Sequence, residues 1–147
     1  MTVVKKQFFF SIYHKFCNVE KENRKLIFCI NSGRTGSHYL ATLLNTAQEV
    51  RAFHEPEPAM NGRYLQMVNQ YEYKKTYSQR KFKCKAIKKI LKNMGKNEIY
   101  CETNHMFIKT FFDVVINEFK KVELIILRRD IASVLKSFIE LNYFTDK

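Results

Sequence analysis

Four short apolar runs alternate with stretches of helical periodicity along most of this chain, and that alternation leaves few folds open. The runs cover residues 26–31, 50–54, 98–102 and 122–127, the last reading Val122-Glu123-Leu124-Ile125-Ile126-Leu127. Runs this short, bounded by polar or glycine-bearing breaks, suit strands buried on both faces. Helices are expected at 36–48, within 60–95, at 106–120 and at 131–143. Strands that alternate with helices pair in parallel, because each helical crossover returns the chain to the same end of the sheet. The expectation is an α/β domain of three layers (α/β/α) around one parallel sheet. At 147 residues the chain can form one such domain with a core of its own. Residues 26–147 are assigned to it. Residues 1–25 read as an N-terminal arm or, through Phe8 to Tyr13, an extra strand. Ligands bind such sheets at the carboxyl ends of the strands, so the residues after each run are where chemistry is expected.

The first of those ends is the most informative. Leu26 to Leu40 passes from a buried strand, through a loop with Gly33 and Gly36, into an apolar helix start. Glycine permits backbone angles that other residues resist. The amides of Thr35, Gly36, Ser37 and His38 then face outward at the positive end of a helix dipole, which makes an anion cradle. Arg34 adds a planar fork of donors suited to phosphate or sulfate. An ATP-binding P-loop would place a lysine at the helix start. Here the glycines are three apart and Ser37 stands at that position, and the dinucleotide pattern G-x-G-x-x-G also fails. The plain alternative is a strand-turn-helix connection without a ligand.

Arg34-Thr35-Gly36-Ser37 resembles the phosphosulfate loop of sulfotransferases that use 3′-phosphoadenosine 5′-phosphosulfate (PAPS). In that loop a basic residue, a Ser/Thr, a Gly and a further Ser/Thr open the first helix. His38 departs from the pattern, where a second hydroxyl is common. After the run at 122–127 come Arg128, Arg129 and Asp130, then a helical segment. Arg129 and Ser137 are eight residues apart, just over two helical turns, so a strand end and a helix flank can converge on one phosphate. This resembles the family's 3′-phosphate-binding motif, with Ile131 where proline is frequent; a solvated charge cluster is the plain reading. The resemblance implies a P-loop-like sulfotransferase fold of the bacterial or carbohydrate type, with PAPS as donor and no metal. Donor binding then falls to Arg34, Thr35, Gly36, Ser37, His38, Arg129 and Ser137. The chain matches the first half of a typical member, so it reads as truncated: a fragment, a minimal enzyme or a decayed relative.

Two candidates compete for the base that deprotonates an acceptor hydroxyl. Thr103-Asn104-His105 resembles a degraded form of the Lys-Thr-His triplet of cytosolic sulfotransferases, whose histidine is the base. A histidine, with a reference pKa of about 6.5, can accept a proton near neutrality; alternatively His105 caps the helix beginning near Met106. The second candidate is Glu55 in His54-Glu55-Pro56, where Pro56 and Pro58 impose an extended exit from the second strand. Bacterial carbohydrate and heparan-type sulfotransferases place a catalytic glutamate there. Glu55 is the favoured base on that resemblance, with His54 as an acceptor contact and Arg34 stabilising charge at the bond that breaks.

The charge balance bears on partners. Lys plus Arg total 26 against 14 Asp plus Glu, a net charge of +12. Residues 74–96 hold ten Lys/Arg and no acidic residue. Phe82, Ala86, Ile87, Ile90, Leu91 and Met94 recur there at helical spacing, and Gly95 offers a stop, so a basic amphipathic helix is expected. Its plain reading is a solvated lysine-rich face; its sharper one is a strip for an acidic polysaccharide or an anionic membrane surface. Nothing resembles a nucleic-acid-binding signature. Cys17, Cys29, Cys84 and Cys101 form no C-x-x-C pair, which favours core thiols in a reducing compartment over structural zinc. No run reaches the ~18 apolar residues that span a membrane, and no cleavage pattern follows Lys5-Lys6, so a cytoplasmic protein is expected. The rivals to a sulfotransferase are a non-catalytic anion or polyanion binder on the same fold and, against the missing lysine, a P-loop kinase.

Overall fold

The computed structural model describes residues 22–144. Its elements are β1 (Glu22–Ile30), α1 (Ser37–Leu44), β2 (Val50–His54), α2 (Arg63–Gln70), α3 (Tyr73–Arg80), α4 (Phe82–Lys92) and β3 (Ile99–Thr103). A π-helical segment (Phe107–Phe111) then leads into α5 (Phe112–Glu118), β4 (Phe119–Ile126) and α6 (Ile131–Glu140). The strands form one all-parallel sheet in the order β2-β3-β1-β4, with Leu26 opposite Tyr100 on one side and Val122 on the other. The α/β expectation holds.

The layering follows from the handedness of the crossovers. From β1 the chain moves two positions across the sheet to β2; it then steps back to β3 and crosses β1 to reach β4. Right-handed crossovers in opposite directions must use opposite faces. Accordingly α1 covers one face and α2 to α5 cover the other. Strand alternation sorts the side chains in the same way. Leu26, Phe28 and Tyr100 enter the larger core with Phe107, Phe111, Val114 and Phe119, where Phe28 stacks on Phe107 at 4.5 Å between ring centroids. Ile27, Cys101 and Ala52 face Ala41 of α1, and these small residues let that helix lie close to the sheet. Asn45, just past α1, bonds both backbone groups of Ala52 at 2.8 Å and so closes part of the open edge of β2.

The elements differ from expectation at their ends. β1 starts at Glu22, four residues before the expected 26, and the remainder of the expected arm, residues 1–21, lies outside the described residues. α1 ends at Leu44 instead of 48. The basic segment is two helices, α3 and α4, separated at Lys81. The helix expected at 106–120 widens into a π turn, then yields to β4 at Phe119, three residues before the expected strand start. At the joint Phe111 leaves helical angles, and Arg80 of α3 donates to the Thr110 carbonyl at 3.0 Å. Among the described residues, α6 contributes none to the core.

Candidate functional site

β1 ends in the interior of the sheet, flanked by β3 and β4, so the loop that follows it sits between the ends of both neighbours. Asn31 is buried, and its Oδ1 accepts a bond from the Gly33 amide at 2.9 Å, which turns the chain back on itself. Gly33, Arg34 and Gly36 all have left-handed backbones, at φ 84°, 53° and 88°. This tight course delivers Ser37 as the first residue of α1 with no side chain capping the helix. Its first-turn N–H groups and positive dipole end stay available to a ligand. Thr35, only 8% exposed, has a buried Oγ1 without a hydrogen-bond partner among the described residues. Buried hydroxyls are nearly always bonded, so this one marks a place where something else completes the structure.

Two guanidinium groups meet at the same loop. Arg129, just beyond β4, donates from Nη1 to the Arg34 carbonyl at 3.0 Å. Arg34 in turn donates from Nε to Ser137 Oγ of α6 at 3.0 Å. Among the described residues neither arginine has a carboxylate within ion-pair distance. Like charges gathered without a carboxylate in direct contact raise the affinity for an anion. Asp130 is committed elsewhere: its Oδ2 accepts from the Ser133 amide at 2.9 Å and caps α6. That backbone bond, aided by the Arg129 charge, holds its carboxyl below the ordinary aspartate range.

Glu55 and His105, the two candidate bases, are bonded to one another. Glu55 leaves β2 with φ 46°, and His105 follows β3; Glu55 Oε1 lies 2.6 Å from His105 Nδ1. A carboxylate only accepts, so Nδ1 of the imidazole is the donor, and in the neutral ring the lone pair then sits on Nε2. Each side chain is about a quarter exposed, at 27% and 26%. The His105 ring lies against the glycine loop, where a Cβ on Gly33 would meet Cδ2 at 3.8 Å. Phe138 of α6 would meet the same Gly33 Cβ position, also at 3.8 Å. Neither His105 nor any other side chain caps the π-helical segment that follows; Asn104 Oδ1 instead accepts from the Met106 amide at 2.9 Å and tightens the turn before it.

His54 turns back to β3. Its Nδ1 donates to the Thr103 carbonyl at 3.0 Å, with Thr103 Oγ1 at 3.1 Å. Its ring meets His38 edge-on, 5.0 Å between centroids, so the second residue of α1 lies beside the second strand's end. Arg34, Thr35, Gly36, Ser37, Arg129 and Ser137 thus gather round one loop, with Glu55 and His105 against it and the His38–His54 contact beside Glu55.

The basic segment is less free than its composition suggests. Arg80 is fully buried and bonded to Asp113 through both Nη atoms. Lys81 and Lys88 clasp Glu118 at 2.8 and 2.7 Å, and Lys83 is buried against Glu102 at 2.8 Å. Lys85, Lys89 and Lys92 remain on the exposed face of α4. Cys29, Cys84 and Cys101 are buried free thiols, and burial pushes Cys84 and Cys101 up to about 12. Cys17 and the stretch from Phe8 to Tyr13 lie outside the described residues. Among the described residues no group of three His, Cys, Asp or Glu side chains could hold a metal ion, and no helix is long and apolar enough to cross a membrane.

Sequence reasoning passed over Asn31, Lys83, Glu102 and Asn104. Signals for two of them were visible: Glu102 is a carboxylate inside a buried strand, and Lys83, four residues before Ile87, lies on the apolar face of its helix. Comparison with family models, with curated proteins and with solved structures finds no match to this chain.

Proposed function

We propose that this domain binds PAPS and transfers its sulfuryl group to an acceptor hydroxyl, most simply that of a carbohydrate. The observation that carries the reading is the buried Thr35 hydroxyl, without a partner among the described residues, between an uncapped helix start and two guanidinium groups that have no carboxylate in contact. Those donors match a doubly anionic ligand better than a neutral one. In this reading Arg34, Thr35 and the amides of Gly36, Ser37 and His38 hold the 5′-phosphosulfate. Arg129 and Ser137 hold the 3′-phosphate. Bound there, the donor supplies a sulfuryl group whose bond to the bridging phosphate oxygen breaks as the acceptor oxygen bonds to sulfur, releasing 3′,5′-adenosine diphosphate.

Proton handling falls to the Glu55–His105 pair. Glu55 fixes the Nδ1–H tautomer of His105, and Nε2 takes the acceptor hydroxyl's proton. Glu55 is thus the orienting member and His105 the base, which reverses the preference that resemblance alone gave. His54 and His38 form the wall beside Glu55 against which an acceptor would rest. Arg34, at the loop mouth, stabilises charge that grows on the bridging oxygen.

Titration of the purified protein with 3′,5′-adenosine diphosphate tests the reading. Binding in the micromolar range or tighter is expected, weakened ~10-fold or more by Arg129→Ala through loss of a charge-assisted bond. No binding, or binding indifferent to that substitution, would sink the donor assignment. Binding without transfer to any sugar or phenol acceptor would instead favour an anion-binding domain.

A further inference from the structure

The Glu55–His105 pair joins two separate strand ends, and a buried polar network lies directly beneath both. Lys83 of α4 is fully buried, and its Nζ has three acceptors: Glu102 Oε1 at 2.8 Å, the Pro56 carbonyl at 2.6 Å and the Pro58 carbonyl at 3.0 Å. An ammonium group has three N–H bonds, so all are spent. Two of them hold the segment that follows Glu55. Glu102, also fully buried, accepts from Asn104 Nδ2 at 2.9 Å on the same Oε1 and from Tyr100 O–H at 2.6 Å on Oε2. Asn104 precedes His105, and its Nδ2 also reaches the Ala59 carbonyl at 3.2 Å. A single connected set therefore ties the segment after Glu55 to the segment that carries His105.

A buried ion pair is a poor way to stabilise a core, since desolvation offsets most of the attraction. An apolar pair at positions 83 and 102 would serve packing as well. Ionic and amide groups at this place do what apolar ones cannot: they fix the direction of two loop carbonyls and one strand end. We propose that Lys83, Glu102 and Asn104 are positioning residues that hold Glu55 in register with His105 and so set the tautomer of that imidazole. The inference rests on reading Glu55 and His105 as the proton-handling pair.

The network can be cut in two ways that leave no lone buried charge. Lys83→Met with Glu102→Gln removes both ions together. Asn104→Ser cuts the ties to Glu102 and Ala59 while a serine hydroxyl can still accept from the Met106 amide. In the wild type, nitrogen-15 NMR of the His105 ring should show the Nδ1–H tautomer alone. In each variant, with native far-UV circular dichroism, a mixture of tautomers is expected. The rate constant for sulfuryl transfer should fall ~100-fold, the scale of a small misplacement of reacting groups. Affinity for 3′,5′-adenosine diphosphate should stay within about twofold, because the network touches neither Arg34 nor Arg129. Arg129→Ala serves as the control: it should weaken the nucleotide and leave the His105 spectrum unchanged.

A folded variant that keeps the single tautomer, or loses nucleotide affinity in step with turnover, would overturn the proposal. So would loss of fold in both variants, which would make the network a support of the core. If the wild type binds no nucleotide, the sulfotransferase reading falls alone, and the tautomer measurement still decides the positioning role.

Discussion

Thr35 separates what a residue does for the fold from what it does for a ligand. An unsatisfied buried hydroxyl costs a protein ~1–3 kcal/mol, and Thr35 Oγ1 is in that condition. Thr35→Val keeps the shape and removes the hydroxyl. The free protein should therefore melt at the same temperature or a few degrees higher, about 2–4 °C per kcal/mol at this size. Affinity for 3′,5′-adenosine diphosphate should drop ~10-fold, the value of a bond to a charged group. A variant that loses stability and keeps affinity would make Thr35 an ordinary core residue. Gly33 gives the complementary case. An alanine Cβ there has ordinary contacts at 3.8 Å but must accept φ 84°, so Gly33→Ala should cost ~1–2 kcal/mol through backbone strain alone, read as a lowered melting temperature. The sequence made this loop legible because glycine, arginine and hydroxyl residues stand together in a short span. It hid the Glu55–His105 bond, which joins residues 50 apart and depends on β2 and β3 lying side by side.

Legibility of the elements followed the strength of their pattern. Strands β2 and β3 fell within a residue of expectation because apolar runs and polar breaks coincide there. The end of β4 did too, whereas its start and the π turn were blurred, because Phe119 can continue a helix or begin a strand. The ten-cation stretch misled for a different reason: its partners, Asp113, Glu118 and Glu102, lie far along the chain or on another element. Glu118, at the end of α5, is the clearest of them. Burial pushes its carboxyl up, but bonds and charge from Lys81 and Lys88 outweigh that and hold it below 4.5, its ordinary value. A carboxyl lowered in the folded state stabilises at pH values above 4.5 and loses that contribution as pH falls through the folded value. Both lysines are about a third exposed, so screening trims the pair to about 1 kcal/mol. Glu118→Gln should lower the melting temperature by a few degrees at neutral pH, and the gap should close as pH falls through the lowered folded value. A gap that persists in acid would show that shape, not charge, joins α4 to α5.

Over the whole molecule, firm and loose parts divide along the sheet. The order β2-β3-β1-β4 was not readable from one sequence, since apolar runs state that strands exist and not which ones pair. Once that order is known, the right-handed crossover rule places every helix up to α5. The thick layer of α2 to α5 buries β1 and β3, whereas β4 is only half-buried at Val122 to Ile125. α6 exposes Ile131, Leu135 and Ile139 and, among the described residues, meets the site through the Arg34–Ser137 bond and through Phe138 beside Gly33. Regions with few buried apolar contacts open at low free energy cost, well below global unfolding. Amide hydrogen exchange should accordingly be slowest in β1 and β3 and fast throughout α6. A ligand that bridges the loop, Arg129 and Ser137 would favour the docked helix over the open one and shift that population. Saturating 3′,5′-adenosine diphosphate should then slow exchange in α6 ~10-fold or more and leave β2 little changed. Protection of α6 already complete in the free protein would show that the helix is held by more than the site. Protection that does not respond to the nucleotide would remove Ser137 from the ligand's reach and leave Arg129 alone at the proposed 3′-phosphate position.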